Sequence, residues 1–164
     1  MKINAMRIDD RLVHGQIVTQ WLRNSNAEMI VVADDKAATN SMQRTMLKLA
    51  VPSGIGIEIV TLDEGYQILN DANRNEQVLL IVRNPETAYK LVEKGLKIES
   101  INVGNISNAK SEVGRTKLLQ YIFVEPTDVE YLKKLNDMGI KLDVRSIPTD
   151  KSLDAMELLA RNNL

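Results

Sequence analysis

The stretch Ile3-Asn4-Ala5-Met6-Arg7-Ile8-Asp9-Asp10-Arg11-Leu12-Val13-His14-Gly15-Gln16-Ile17-Val18 decides the fold class of this chain. Its opening, from Ile3 to Ile8, is a short apolar run that reads as a strand. A polar loop follows. From Gly15 to Arg23 the apolar residues Ile17, Val18, Trp21 and Leu22 fall on one face of a helix. A strand, a short loop and an amphipathic helix form the first half of a βαβ unit. In α/β folds that loop lies at the carboxyl edge of the sheet, where ligands are bound. The same loop holds His14, the single histidine of the chain, with Arg7, Asp9, Asp10 and Arg11 before it and Gly15 directly after it. A phosphoryl group carried on a histidine needs such parts: a neutral ring nitrogen as nucleophile, fixed positive charge for the phosphate oxygens, and free backbone N–H groups at a helix start.

The rest of the chain repeats this rhythm. Glu28 to Ala33 reads as a buried strand ending in Asp34-Asp35. A helix is expected from about Ala37 to Ala50, with Met42, Met46, Leu49 and Ala50 inward, broken by Pro52-Ser53-Gly54. A strand from Ile57 to Leu62, a helix from Asp63 to Asn70 and a strand from Val78 to Val82 follow. Asn84-Pro85-Glu86 opens a helix that Gly95 ends, and Ile98 to Val103 is a strand closed by Gly104. Asn105 to Thr116 is a polar loop without periodicity. Leu119 to Val124 reads as one further strand, able to run antiparallel because its connection contains no helix. A helix from Pro126 to Met138, capped near Pro126 or Thr127, a strand from Lys141 to Arg145 and a helix from Ser152 to Arg161 complete the chain. The expected fold is α/β: an open, mostly parallel sheet of about seven strands with helices on both faces and an antiparallel element near the C-terminus. Without repeats or a linker, residues 1–164 are expected to form one domain.

Composition removes several functions. The 164 residues are 44% hydrophobic and 26% charged, an ordinary globular mix, and the net charge of −1 argues against a nucleic-acid partner. With no cysteine there is no disulfide, thiolate metal site or cysteine nucleophile, and with one histidine no histidine-rich zinc site within one subunit. No apolar run approaches the ~20 residues of a membrane span, and no signal-peptide pattern precedes the first strand, so the expected location is cytoplasmic. The G-x-G-x-x-G, Walker and G-x-S-x-G patterns are all missing.

In a parallel sheet the strand ends would gather Asp9, Asp10, Arg11, His14, Asp34, Asp35, Arg83, Asn84, Gly104 and Asn105 at one edge. Each also has a plain structural reading. A histidine at a helix edge is ordinarily a cap, Asp34 and Asp35 suit helix capping, Arg83 suits a surface charge and Gly104-Asn105 suits a turn. Two further functions compete: a flavodoxin-like module that holds a phosphorylated ligand without chemistry, and a receiver-like signalling domain phosphorylated on aspartate. The third strand ends in Thr61-Leu62, with no aspartate at its tip, which weakens the receiver alternative.

Arg7-Ile8-Asp9-Asp10-Arg11-Leu12-Val13-His14-Gly15-Gln16, followed by Trp21, closely resembles the start of the IIB component of the mannose/fructose/sorbose class of the bacterial sugar phosphotransferase system. The likeness continues through Val31-Val32-Ala33-Asp34-Asp35, Arg44-Thr45-Met46-Leu47, Val51-Pro52, Asn84-Pro85, Gly95-Leu96-Lys97-Ile98, Asn102-Val103-Gly104 and Gly139-Ile140-Lys141-Leu142-Asp143-Val144-Arg145. It implies a phosphotransferase that works as a phosphocarrier. His14 would take phosphate from a phosphohistidine on a IIA protein and pass it to a sugar moved by the membrane components IIC and IID. This places the chain in the cytoplasm, peripheral to the membrane through IIC/IID.

In that scheme Arg11 is the arginine facing the phosphate, where its fork would hold two oxygens. Arg7 matches the other motif arginine and is expected to bind the phosphate as well, though to matter less than Arg11 because it lies at the strand end. The backbone N–H groups of Gly15, Gln16 and Ile17 would complete the phosphate cradle. Asp9 or Asp10 would orient Arg11 or a ring N–H, with Asp34, Arg83 and Asn105 in support. No cofactor or metal is required. The oligomeric state is left open, a homo-oligomer included. One departure stands out. Many members read Asn-Val-Gly-Gly-Met where this chain has Asn102-Val103-Gly104-Asn105-Ile106. Asparagine replaces glycine where the backbone needs a positive φ, so the turn is expected to survive at Asn105 while the identity of the sugar stays open.

Overall fold

A computed structural model describes residues 1–107 and 110–164. Its sheet is built outward from the first strand. β1 (Lys2–Asp9) pairs in parallel with β4 (Gln77–Val82) on one side and β5 (Ser100–Asn105) on the other. β2 (Met29–Ala33) and β3 (Gly56–Val60) lie beyond β4, and β8 (Lys141–Val144) and β9 (Leu153–Asp154) beyond β5. The order β3-β2-β4-β1-β5-β8-β9 is parallel except for β9, which runs antiparallel to β8. A separate antiparallel hairpin joins β6 (Thr116–Leu119) to β7 (Ile122–Val124).

The apolar runs make both faces of the central strands core. Ile30 and Val32 of β2 and Leu79 and Ile81 of β4 pack against Val18, Trp21 and Leu22 of α1 (Gly15–Ser25), Ala37 of α2 (Asp35–Thr39) and Leu47 of α3 (Ser41–Leu49). The alternate residues Val31, Ala33, Val78, Leu80 and Val82 face the opposite layer. That layer contains Leu69 of α4 (Leu62–Leu69), Leu91 of α5 (Pro85–Glu93), Leu135 of α6 (Pro126–Asp137) and Leu158 of α7 (Ala155–Arg161). Strands covered on both faces need such unbroken apolar runs, and each large side chain buried contributes about 1.5–3 kcal/mol.

Three elements differ from the sequence expectation. The single helix over residues 37–50 is two helices, because Asn40 adopts an extended conformation and its side chain accepts the Gln43 N–H at 2.9 Å. That cap resets the helical phase. Leu47 is buried and the Arg44 guanidinium reaches inward to the carbonyls of Ala38 and Ile59. Met42, Met46 and Leu49, expected inward, are instead 74%, 64% and 80% exposed. The single strand over residues 119–124 is broken: Leu119 ends β6, the chain turns at Gln120-Tyr121, and Ile122–Val124 returns as β7. The last helix is shorter than expected, since Leu153-Asp154 pairs with β8 before Asp154 caps α7. Of the polar loop expected over residues 105–116, positions 108 and 109 lie outside the described residues.

The strand order positions the site. From β1 the chain leaves toward β2, on the β4 side, whereas from β5 it continues toward β8 on the other side. Connections that diverge in this way open a crevice at the carboxyl ends of the strands. The loop holding His14 leaves β1 at that switch point.

Candidate functional site

The loop between β1 and α1 is a tight turn fixed by its own apolar residues. The Leu12 N–H donates to the Asp9 carbonyl at 2.9 Å, and Leu12 has φ 62, in the left-handed region that disfavours leucine. Such strain costs on the order of 1–2 kcal/mol and persists only where surroundings enforce it. Here Leu12 and Val13 are both buried, in the cluster that includes Val18 and Trp21. Their burial turns His14 outward. His14 is the exposed N-cap residue of α1, and its side chain makes no capping bond. Its carbonyl accepts the N–H groups of Ile17 and Val18, both at 3.1 Å. The Ile17 N–H, expected in the phosphate cradle, is therefore already engaged. Those of Gly15 and Gln16 have no acceptor among the described residues, and Gly15 bends the chain into the helix at φ 26. Two free N–H groups at the positive end of a helix dipole favour an anion beside the ring.

Asp9 organises the arginines. Its carboxylate, 1% exposed, accepts the Arg11 backbone N–H at 3.0 Å, Arg11 Nε at 3.1 Å and Arg11 Nη2 at 3.1 Å. Arg11 is thereby held along one edge of its fork, while Nη1 has no partner among the described residues and the side chain is 32% exposed. Arg7, on the same strand, is 2% exposed. Its Nη2 bonds the Asp9 carboxylate at 3.0 Å, its Nη1 bonds Asn102 Oδ1 at 2.6 Å, and its guanidinium lies 5.4 Å from the Trp21 ring centroid. Burial pulls the Arg7 pKa below the ordinary arginine value, and the Asp9 charge acts the other way.

The neighbouring strand ends close around this pair. Asp10 accepts Asn105 Nδ2 at 2.5 Å and the Ser107 N–H at 2.9 Å, tying the histidine loop to the end of β5. Asn105 is a buried strand residue without a positive φ, so the glycine-substitute role expected for it does not apply. Asp34 both caps α2, through the Ala37 N–H at 2.8 Å, and receives the Arg83 fork at 2.9 and 2.7 Å. This pairing raises the Arg83 pKa. Arg83 Nη1 also bonds the Asp10 carbonyl at 3.3 Å.

The His14 loop is thus held by two bonded networks: Asp9 with Arg7 and Arg11, and Asp10 with Asn105, Ser107, Arg83 and Asp34. Asp35 stands apart, bonding the Leu62 N–H. Residues not singled out as site members support these networks: Trp21, Asn102, Ser107 and Arg145. Trp21, Asn102 and Arg145 lie in the motif segments, but their roles depend on contacts across the sheet, and Ser107 carried no such signal.

The cleft lined by Asp10, Arg83, Asn84, Ser107, Arg115 and Asp128 is about 110 Å³, below the ~300 Å³ of small-molecule sites. Burial raises the Asp128 carboxyl pKa there. Two wider clefts, both lined by Ile3, Asn4 and Ala5, open near the beginning of β1, away from His14. Among the described residues no three His, Asp or Glu side chains converge as a metal-binding group. Nor is any described helix long and apolar enough to cross a membrane.

Comparison with known proteins meets this geometry. The family described as PTS system sorbose subfamily IIB component matches residues 3–164. The chain is 32% identical over 157 residues to the sorbose-specific EIIB component of Lacticaseibacillus casei, covering 95% of this chain and 94% of that protein. It is 36% identical over 162 residues to the mannose-specific EIIAB component of Escherichia coli strain K12, covering 98% of this chain but 49% of the relative. The chain therefore spans about half the length of that relative. The crystal structure of the IIBSor domain of the sorbose permease from Klebsiella pneumoniae superposes with a TM-score of 0.92 at 28% identity, with 98% of each chain covered. These likenesses define the class as a IIB component of a phosphotransferase system. The chain belongs to its sorbose subfamily.

Proposed function

We propose that this chain is a cytoplasmic phosphocarrier that accepts a phosphoryl group on His14 from a phosphorylated IIA protein and delivers it to a sugar during uptake through IIC and IID. In the first step the P–N bond to the donor's imidazole breaks as one forms to a ring nitrogen of His14. In the second that bond breaks, a sugar hydroxyl oxygen takes the phosphoryl group, and the hydroxyl proton is lost to a base or solvent. The observation that carries this reading is an exposed imidazole on the same short loop as Arg11, whose Nη1 has no partner among the described residues, and as the Gly15 and Gln16 N–H groups, which have none either. Phosphoryl transfer has a loose transition state that needs positioning and charge stabilisation, which an arginine fork and a helix start provide without a metal.

The shallow edge supports transfer between proteins better than capture of a free metabolite. A IIA protein must cover His14 and leave before the membrane components reach it, so both complexes are transient. The names of the relatives support a sugar such as sorbose, fructose or mannose as the final acceptor. The test is the chemistry of the phosphoprotein formed with phosphorylated IIA. A linkage stable in base and labile in acid is expected. A base-labile acyl phosphate would instead support the receiver-like alternative.

A further inference from the structure

The geometry points to Arg7 as a positioning residue that acts on the phosphoryl group only through Asp9 and Arg11, seated in a slot that exists because residue 104 is glycine. This rests on the reading of His14 and Arg11 above and deepens it. The Arg7 guanidinium is enclosed. Asn102 and the Arg145 carbonyl bond Nη1 at 2.6 and 3.4 Å, Asp9 bonds Nη2 at 3.0 Å, and the guanidinium carbon lies 5.4 Å from the Trp21 ring centroid. A Cβ built on Gly104 would fall inside the guanidinium, so any side chain at that position would displace it. Asn102 is itself held by the carbonyls of Asp143 and Arg145, at 3.2 and 3.0 Å.

What this slot does is fix Asp9. A carboxylate 1% exposed needs its charge matched, and Asp9 is shared by two guanidiniums, one buried and one reaching solvent. Arg7 holds the carboxylate plane from inside the fold. Asp9 then aims Arg11 through three contacts, leaving its outer edge free. Arg11 is thus preorganised before phosphate arrives, which is the condition under which a charged donor stabilises a transition state most. Arg7 contributes no donor of its own to the phosphate.

The test is a double-mutant cycle on the full chain, read as the single-turnover rate of phosphoryl arrival from phosphorylated IIA. Arg11→Ala should slow transfer by about ten- to a hundredfold. Arg7→Lys, which keeps the charge but not the fork, should slow it about tenfold, with the donor concentration for half-maximal rate unchanged. In the Arg11→Ala background, Arg7→Lys should change the rate by less than about twofold, because the two residues act as one unit. Gly104→Ala should behave like Arg7→Lys, and Asn102→Ala replaces it if the added methyl prevents folding. The Arg11 Nε–H resonance, bonded to Asp9 in the native chain, should shift in the Arg7→Lys, Gly104→Ala and Asn102→Ala chains, which keep Arg11. Multiplicative slowing in the double variant, or a wild-type rate in folded Arg7→Lys, would overturn the proposal while leaving His14 and Arg11 in place. A wild-type rate in Arg11→Ala would instead sink the reading on which it rests.

Discussion

At the scale of single residues, the motif is a set of constraints placed on one imidazole. Leu12 and Val13 anchor the loop, Asp9 aims Arg11, and Asp10 ties the loop to β5. Lysine cannot reproduce the bidentate edge that Arg11 offers, so Arg11→Lys is expected to slow phosphoryl transfer by about tenfold or more, measured by rapid quench against the wild type. Asn105 gives a second prediction. Its backbone is ordinary strand and its amide bonds the Asp10 carboxylate, so Asn105→Ala should cost about 1.5–3 kcal/mol in urea unfolding. Asn105→Gly should do no better, since glycine adds backbone freedom to the unfolded chain. A glycine variant as stable as the native chain would show that the asparagine only replaces a turn residue.

This contrast marks how far the sequence carries. His14, Arg11 and the carboxylates around them were legible because their spacing within one loop is local. The role of Arg7 was not. Its place at the strand end, four residues before Arg11, marks it as the lesser of the two, but only the neighbouring strand, with Asn102 and Gly104, makes it a buried fixture. Asn105 misled for a related reason: its partner lies 95 residues away.

At the scale of elements, strand periodicity was readable because buried parallel strands are unbroken apolar runs bounded by polar ends. Helix phase was less so. Between Asp35 and Leu49 the apolar count suits one amphipathic helix, but the Asn40 cap divides it and turns the methionines outward. Substituting Met42, Met46 and Leu49 with glutamine one at a time should therefore change unfolding free energy by less than about 0.5 kcal/mol. Leu47→Ala should cost about 2–5 kcal/mol, because Leu47 is buried against the sheet. Urea denaturation monitored through Trp21 compares them directly, and a large loss at Met46 would restore the single-helix register.

At the scale of the whole molecule, strand order is what makes the loop a site. β1 lies between β4 and β5, so Arg83 and Asn105 meet Asp10 of the His14 loop from strand ends far apart in sequence. The exposed edge also carries Lys110 and Arg115, and a phosphorylated donor brings negative charge. Association with phosphorylated IIA should therefore weaken as salt rises, with NMR shifts gathered at the carboxyl edge of the sheet and the opposite edge silent. The central claim is that the phosphoryl group passes through His14. Peptide mapping after exposure to phosphorylated IIA tests it most directly, with His14→Ala run in parallel. A single phosphopeptide containing His14, and none from the variant, is the predicted result; a His14→Ala chain that still accepts phosphate from the donor would contradict it.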